Sequence, residues 1–288
     1  MTFKEFGEVF ENYDLVNNNT YKVHSICNYY IIVDDVIKLT NLINYLNNQN
    51  IKYFVIGNGS NIILPSIYDG VVIKLKFNSI EYLDNKVIVG SSYMLNKLAY
   101  ETINNGLSGL EWASGIPGTI GASIYGNAGA YKDEISNYVE EIEVLENNKI
   151  KIIKKSDITF SYRNTSLRKR NLIILKATLI LKQGNKEESL NLVKERLERR
   201  SATQPLDYPS AGSVFRNPEG LFAGKLIEDL NLKGKMVGDA KISEKHANFI
   251  INNGNATGED IQKLIVLIMN EVKKEYQIDL ILEQEIIK

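Results

Sequence analysis

Between Glu111 and Tyr131 the chain carries Gly115, Gly118, Gly121, Gly126 and Gly129, interleaved with small residues and Pro117. Glycine loses more conformational freedom on folding than any other residue. A fold tolerates this density where backbone must approach a ligand closely or turn left-handed. The centre of the segment is Ser114-Gly115-Ile116-Pro117-Gly118-Thr119-Ile120-Gly121, and Asn127-Ala128-Gly129-Ala130 continues the small-residue surface. A second glycine loop, Gly57-Asn58-Gly59-Ser60-Asn61, directly follows Tyr53–Ile56, which reads as a short buried strand. Its backbone N–H groups could hold a phosphate, and an ordinary tight turn is the alternative. It is not the Rossmann fingerprint, because Ile62 stands where the third glycine belongs. Two such loops, separated by a helix and strands, suit an extended dinucleotide such as FAD.

Element order predicts an α+β chain. Val36–Leu46 has apolar residues at helical spacing, Val71–Phe77 and Val87–Val89 read as strands, and Leu95–Ile103 reads as a helix stopped by Gly106. Val139–Leu145 and Ile150–Ile153 flank Glu146-Asn147-Asn148-Lys149 as a β-hairpin, Leu172–Leu181 is a further strand, and Glu187–Arg200 is a charged helix. The remainder reads as an α/β unit. It holds a short helix at Ala223–Leu230, a strand near Phe249–Ile251 and a longer helix over Gly258–Tyr276, capped by Thr257 with Asp260 three residues on. Ile278–Ile287 alternates as a strand would, with Ile278, Leu280 and Leu282 on one face and Asp279, Ile281, Glu283 and Glu285 on the other.

At 288 residues the chain exceeds what one hydrophobic core usually serves, so two or three subdomains are expected. A formal net charge of −1 gives no basic track for nucleic acid, so an anionic ligand must be met by local Lys, Arg or backbone N–H groups. The single Cys27 cannot form an intrachain disulfide, and the two histidines lie far apart, so no metal site is expected. Met1 to Phe10 lacks the apolar core of a signal peptide, and the longest apolar runs are too short to span a bilayer. The chain reads as cytoplasmic, without membrane insertion, and its oligomeric state is left open.

Several residues invite a chemical reading. Tyr162-Arg163 ends the β-like stretch Ile158–Tyr162, and a guanidinium suits a carboxylate or phosphate, although a surface ion pair is commoner. Ser213, in Ser210-Ala211-Gly212-Ser213-Val214-Phe215-Arg216-Asn217-Pro218, could be a positioned proton donor, although most loop serines satisfy backbone groups. No His–Asp partner accompanies it, which excludes a hydrolase triad. His246 reads as a structural hydrogen-bonder. Lys225, Lys233, Lys235 and Lys241 read as solvated unless they meet a diphosphate.

Taken in order, these motifs resemble the UDP-N-acetylenolpyruvoylglucosamine reductase (MurB) family, in its compact subtype, from about Tyr53 to the C-terminus. The resemblance is carried by Ile56–Asn61, Ser114–Gly121, Asn127–Tyr131, Tyr162-Arg163, Pro209–Pro218 and Ser243–Asn252. It implies an FAD-binding fold of the vanillyl-alcohol-oxidase (PCMH) type in two subdomains. These would occupy residues 1–185, split near 75, with an α/β substrate-binding domain over 186–288. It also implies noncovalent FAD, held by Gly57, Asn58, Gly59, Ser60, Asn61, Ser114, Gly115, Ile116, Pro117, Gly118, Gly121, Asn127, Ala128 and Gly129. NADPH would be the hydride source and a UDP-linked enolpyruvyl sugar the substrate, reduced to UDP-N-acetylmuramate for peptidoglycan. Arg163 would stabilise the enolate and Ser213 would protonate it. Glu283, which strand periodicity cannot separate from Glu285, would act from the other side, with Tyr162 and Asn217 as substrate contacts.

The chain departs from the family pattern in places. Asn19–Cys27 lacks the family's glycines, Ala122 and Asp239 replace glycines, Gly126 stands for Met, and Gln284 stands for Val. A non-catalytic paralogue binding flavin or UDP-sugar is the alternative that these departures support. Retention of Arg163, Ser213 and Glu283 argues for the enzyme, and against a flavin oxidoreductase acting on another substrate.

Overall fold

The computed structural model describes residues 3–288; Met1 and Thr2, which begin the N-terminal stretch read above, lie outside the described residues. Helix α1, Val36–Asn48, starts where the Asp35 carboxylate accepts from the Lys38 N–H at 2.8 Å, and it buries Leu39, Leu42, Ile43 and Leu46. These residues form a core with Val71, Ile73 and Leu75, joined by Leu145 and Leu175. Tyr53–Ile56 lies parallel to Val71–Lys74 at the edge of a four-stranded sheet, in the order Glu8–Asp14, Ile26–Val33, Ile67–Leu75, Tyr53–Ile56.

A second, five-stranded sheet runs Lys149–Lys154, Val139–Glu146, Leu172–Ile180, Lys86–Gly90, Ile80–Leu83, antiparallel throughout. Its first hairpin closes through Asn147 and Asn148 at φ 50° and 60°. Asparagine tolerates this left-handed pair, and its twist matches that of the flanking strands. Helix α2, Leu95–Asn104, and helix α3, Ile120–Gly126, pack on this sheet around Trp112, Ile142 and Leu179. Gly106, at φ 74°, ends α2 as expected.

The chain divides into two compact units. One holds the segment ending at Phe10, Tyr29–Gly57 and Gly70–Arg199; the other holds Glu11–Asn28, Asn58–Asp69 and Arg200–Lys288. The sequence predicts one domain over 1–185, itself split near 75, and a second over 186–288. Helix α4, Lys186–Thr203, lies with the first unit almost to its end. Ser189 donates to the buried Glu111 carboxylate at 2.7 Å, and the Tyr131 hydroxyl donates to the Arg196 carbonyl at 2.9 Å. Within the second unit, α5, Ala223–Asp229, and α6, Gly258–Tyr276, are helical, and α6 packs on the sheet Met236–Val237, Ala240–Ile242, Ile250–Asn252. Thr257 and Asp260 form a reciprocal capping box at the start of α6, as the spacing predicts.

The expected strand over 278–287 is cut down to two short pairings, an isolated bridge Phe215↔Leu282 and Glu285–Ile286 parallel to Ile62–Ile63. The segment changes partner part-way, so neither pairing grows into a ladder. The face alternation survives: Leu280 and Gln284 are buried while Asp279 and Ile281 are exposed. Among the described residues no helix is long and apolar enough to cross a membrane. No group of three or more His, Cys, Asp or Glu among them could hold a metal.

Candidate functional site

In the first unit the glycine segment meets the rest of the chain at two tight approaches. Gly121 donates its N–H to the Ser91 carbonyl at 2.8 Å, and a Cβ there would lie 2.9 Å from the Ser91 Cβ. At Gly57 a Cβ would lie 3.0 Å from Thr119 Oγ1 and 3.2 Å from the Ala122 Cβ, so the end of the strand loop abuts the start of α3. Ser114 is buried and donates to the Glu111 carbonyl at 3.0 Å.

Lys74, which the sequence reading missed, donates its ammonium to the Gly57 carbonyl, and burial holds its pKa below the usual lysine value. Its only signal in the sequence is a charge within the apolar run Val71–Leu75. Among the polar atoms of this unit that are buried without a hydrogen-bond partner are Ser91 Oγ, Trp112 Nε1 and Asn127 Oδ1. Native interiors rarely leave such atoms orphaned. Their presence on and around the glycine segment fits a polar ligand such as a dinucleotide.

Arg163 sits at the turn of a small hairpin, Phe160–Ser161 with Asn164–Thr165, in the left-handed region at φ 54°. The turn is tied to the end of α3. Arg163 Nη2 donates to the Gly129 carbonyl at 2.5 Å, Asn127 Nδ2 donates to the Ser161 carbonyl at 2.9 Å, and Thr165 Oγ1 donates to the Tyr125 carbonyl at 2.8 Å. Gly129 has no room for a side chain, since a Cβ would stand 2.4 Å from the Asp133 carbonyl oxygen. Asn127 and Gly129, expected as cofactor contacts, therefore also aim the arginine. Tyr162 is 52% exposed, with the Arg163 guanidinium 5.4 Å from its ring centroid.

The second unit brings Ser213 and Glu283 onto neighbouring backbone. Ser213 bridges Phe249 and Phe215 bridges Leu282, while the Glu283 N–H donates to the Val214 carbonyl at 2.8 Å. Asn61 Nδ2 donates to the Glu283 carbonyl at 3.2 Å, and the Asn61 carbonyl accepts from the Glu285 N–H at 2.9 Å. The register thus sets Glu283 beside the Ser213 segment and Glu285 beside Asn61-Ile62. Gly59, at φ 63°, packs so closely on Asn18 that a Cβ would be 2.2 Å from its carbonyl oxygen. After Asn61 the chain enters the strand Ile62–Ile63 rather than a helix, which is why no third glycine is needed.

The remaining candidates have structural partners. Asn217 Oδ1 accepts from the Ala223 N–H at 3.1 Å, at the start of α5. Lys225, Lys233 and Lys241 pair with Asp229, Glu228 and Glu244. The His246 Nδ1 accepts from the Asn248 N–H at 3.2 Å, its ring lies 4.8 Å from Phe249, and burial lowers its pKa. The glycine-free stretch from Asn19 is closed by the buried Asn19 amide, which bonds the carbonyls of Leu15 and Val23 and the Val23 N–H.

Comparison with known proteins agrees with this layout. Residues 27–149 match the FAD binding domain family, and residues 204–287 match the UDP-N-acetylenolpyruvoylglucosamine reductase C-terminal domain. The chain is 40% identical over 284 residues to the UDP-N-acetylenolpyruvoylglucosamine reductase of Caldanaerobacter subterraneus, covering 98% of this chain and 94% of that one. It is 43% identical over 258 residues to the reductase of Clostridium kluyveri, covering 88% and 83%. The crystal structure of the Thermus caldophilus reductase superimposes with a TM-score of 0.83 at 32% identity, covering 98% of each chain. The fold is thus α+β, an FAD binding domain followed by a reductase C-terminal domain. By its sequence, its fold and the glycine segment that fits a dinucleotide, this chain is an FAD-dependent oxidoreductase and belongs to the UDP-N-acetylenolpyruvoylglucosamine reductase family.

Proposed function

We propose that the protein reduces UDP-N-acetylglucosamine enolpyruvate to UDP-N-acetylmuramate in the cytoplasm, with NADPH as electron donor. The observation that carries this reading is the backbone pairing of Ser213 and Glu283 segments inside the region matching the reductase C-terminal domain. FAD, when bound, supplies the hydride taken from NADPH. The residues to hold it are those of Gly57–Asn61, Ser114–Gly118, Gly121 and Asn127–Gly129, with the Lys74 ammonium adding a positive charge behind Gly57.

The chain's own groups manage charge and the proton. The Arg163 guanidinium, held at the Gly129 carbonyl, meets the substrate carboxylate. Negative charge grows there as the enolate forms, and a preorganised cation at such a point is worth several kcal/mol, about 3 by analogy with oxyanion sites. Ser213 Oγ–H donates its proton to the carbon that bears the carboxylate. Serine is a weak acid, so the transfer works only toward a strongly basic centre, and an enolate is one. A positioned acid contributes roughly a hundredfold to ten-thousandfold. Glu283 acts from the segment paired with Val214 to polarise the same region. Tyr162 and Asn217 contact the nucleotide sugar.

A visible spectrum of the purified protein under anaerobic conditions tests the reading. The expected course is a flavin band that bleaches with NADPH and returns on adding the enolpyruvyl sugar. A protein that cannot be loaded with FAD would refute catalysis and favour a binding paralogue. Bleaching without recovery would remove this substrate.

A further inference from the structure

Two buried carboxamides, Gln284 and Asn248, hold the main chain on either side of Ser213. Gln284 is 3% exposed. Its Nε2 donates to the carbonyls of Ala211 and Gly212, at 3.1 and 3.2 Å, which belong to the two residues just before Ser213. Asn248 is also buried. Its Oδ1 accepts from the Phe215 N–H at 3.0 Å and its Nδ2 donates to the Phe215 carbonyl at 2.8 Å, two residues after Ser213. The Asn248 carbonyl further accepts from the Val214 N–H at 2.9 Å.

Burying a carboxamide is unfavourable unless its polar atoms are satisfied, and here both amides are satisfied largely by main chain of one short loop. The orientation of the Gln284 amide is dictated by chemistry. The two carbonyls only accept, so they require the NH2 end. The Oε1 end accepts the Tyr21 hydroxyl at 3.0 Å, and Tyr21 is fully buried. Burial keeps this phenol protonated well beyond the ordinary tyrosine range, so the donor is present at every working pH. The Tyr21 carbonyl is in turn bonded by Asn252 Nδ2 at 2.9 Å, and the Asn252 N–H donates to the Pro209 carbonyl at 2.9 Å. The loop is therefore anchored at 209, 211, 212, 214 and 215, on both sides of one serine.

We propose that Gln284, oriented by Tyr21, is a positioning residue that sets the place of the Ser213 hydroxyl for proton transfer. Gly212 shows why such an anchor is needed. It lies at φ 77°, and the position where a Cβ would stand is open, so no side chain packs there to fix the residue before the serine. Hydrogen bonds to its carbonyl and to that of Ala211 supply the missing constraint. The inference rests on the reading of Ser213 as the proton donor.

The test uses FAD-loaded protein and follows the two half-reactions separately by stopped flow, in H2O and D2O. The variants are Gln284→Met, which removes both sets of bonds, and Tyr21→Phe, which removes only the orienting donor. Flavin reduction by NADPH is expected to be unchanged within a factor of two or so. Flavin reoxidation by the enolpyruvyl sugar is expected to slow about tenfold to a hundredfold in Gln284→Met and less in Tyr21→Phe, with a larger solvent isotope effect in both. In a Ser213→Ala background, Gln284→Met is expected to add no further loss, because the group it positions is gone.

Equal slowing of both half-reactions, or a loss in Gln284→Met that is undiminished in the Ser213→Ala background, would overturn the proposal and leave Gln284 a stabilising residue only. Tyr21→Phe keeps the test decisive should Gln284→Met fail to fold. Unmutated protein whose bleached flavin is not reoxidised by the sugar would overturn the reading of the substrate itself, and the proposal with it.

Discussion

Replacing Gly121 with alanine sets two effects against each other. Gly121 is the second residue of α3 and has no positive φ, so on helix propensity alone alanine should stabilise by about 1 kcal/mol. Against this, the added methyl would stand 2.9 Å from the Ser91 Cβ and 3.3 Å from the Ser91 carbonyl oxygen, neither of which is the free end of a flexible side chain. Relief requires α3 to move away from Ser91, which also stretches the 2.8 Å bond from Gly121 N–H to that carbonyl. Overpacking of this kind costs about 1–3 kcal/mol and a weakened hydrogen bond about 1 more. The clash wins, with a net loss of roughly 1–3 kcal/mol and a fall in Tm of several degrees. Because the same segment is proposed to hold FAD, the flavin Kd should rise as well. The assay pairs thermal unfolding with quenching of flavin fluorescence. Gly106→Ala is the control: at φ 74° with open space around it, strain alone costs about 1–2 kcal/mol. It should lower Tm without altering flavin affinity. A Gly121→Ala protein with higher Tm and unchanged flavin Kd would refute the steric argument.

Three further outcomes are expected. Arg170 and Lys151 hold the Glu146 carboxyl down at about 2, so the bond network stabilises the protein above the ordinary glutamate pKa. That contribution, about 1–2 kcal/mol after allowance for its partly exposed partners, should fade as pH falls from roughly 4.5 toward 2. Urea midpoints should show this fade, and Arg170→Ala should lack most of it. The Cys27 thiol is buried and pushed up to about 11, so it should react with an alkylating reagent at pH 8 only as fast as the protein opens. Mass spectrometry of labelled protein with and without urea measures the difference. Ser213→Ala and Arg163→Lys should each lower kcat for the enolpyruvyl sugar by about a hundredfold or more while flavin reduction by NADPH continues; loss of both half-reactions would contradict their assigned roles.

Much of the architecture was legible because local chemistry and packing agree. The spacing of Val36, Leu39, Leu42, Ile43 and Leu46 gave α1, Thr257 and Asp260 gave the start of α6, and Asn147-Asn148 gave the hairpin turn. The segment 278–287 misled because its alternation was real but its partners were not local. It pairs first with the Ser213 loop and then with Ile62-Ile63, some 70 and 220 residues away, and a period of two cannot show a change of partner. The roles of Lys74, Asn248 and Gln284 were not legible for a related reason. Each is a polar residue within an otherwise ordinary segment, and its importance lies in which distant carbonyl it reaches.

The glycines carry the deeper lesson, because their density has two physical causes that sequence cannot separate. At Gly57, Gly59, Gly121 and Gly129 the space where a side chain would stand is filled by the chain's own Thr119, Asn18, Ser91 and Asp133. These glycines are small because other parts of the chain press on them. The same pressing shapes the surface proposed to meet the flavin. It draws Gly57 against the start of α3, and it folds Asn127 and Gly129 back onto the Arg163 turn, leaving Ser91 Oγ and Asn127 Oδ1 as buried polar atoms without protein partners. Substitutions at the glycines should therefore act on flavin binding through the position of α3 and the Arg163 turn, whereas substitutions at the orphaned polar atoms should act on it directly, with little change in stability.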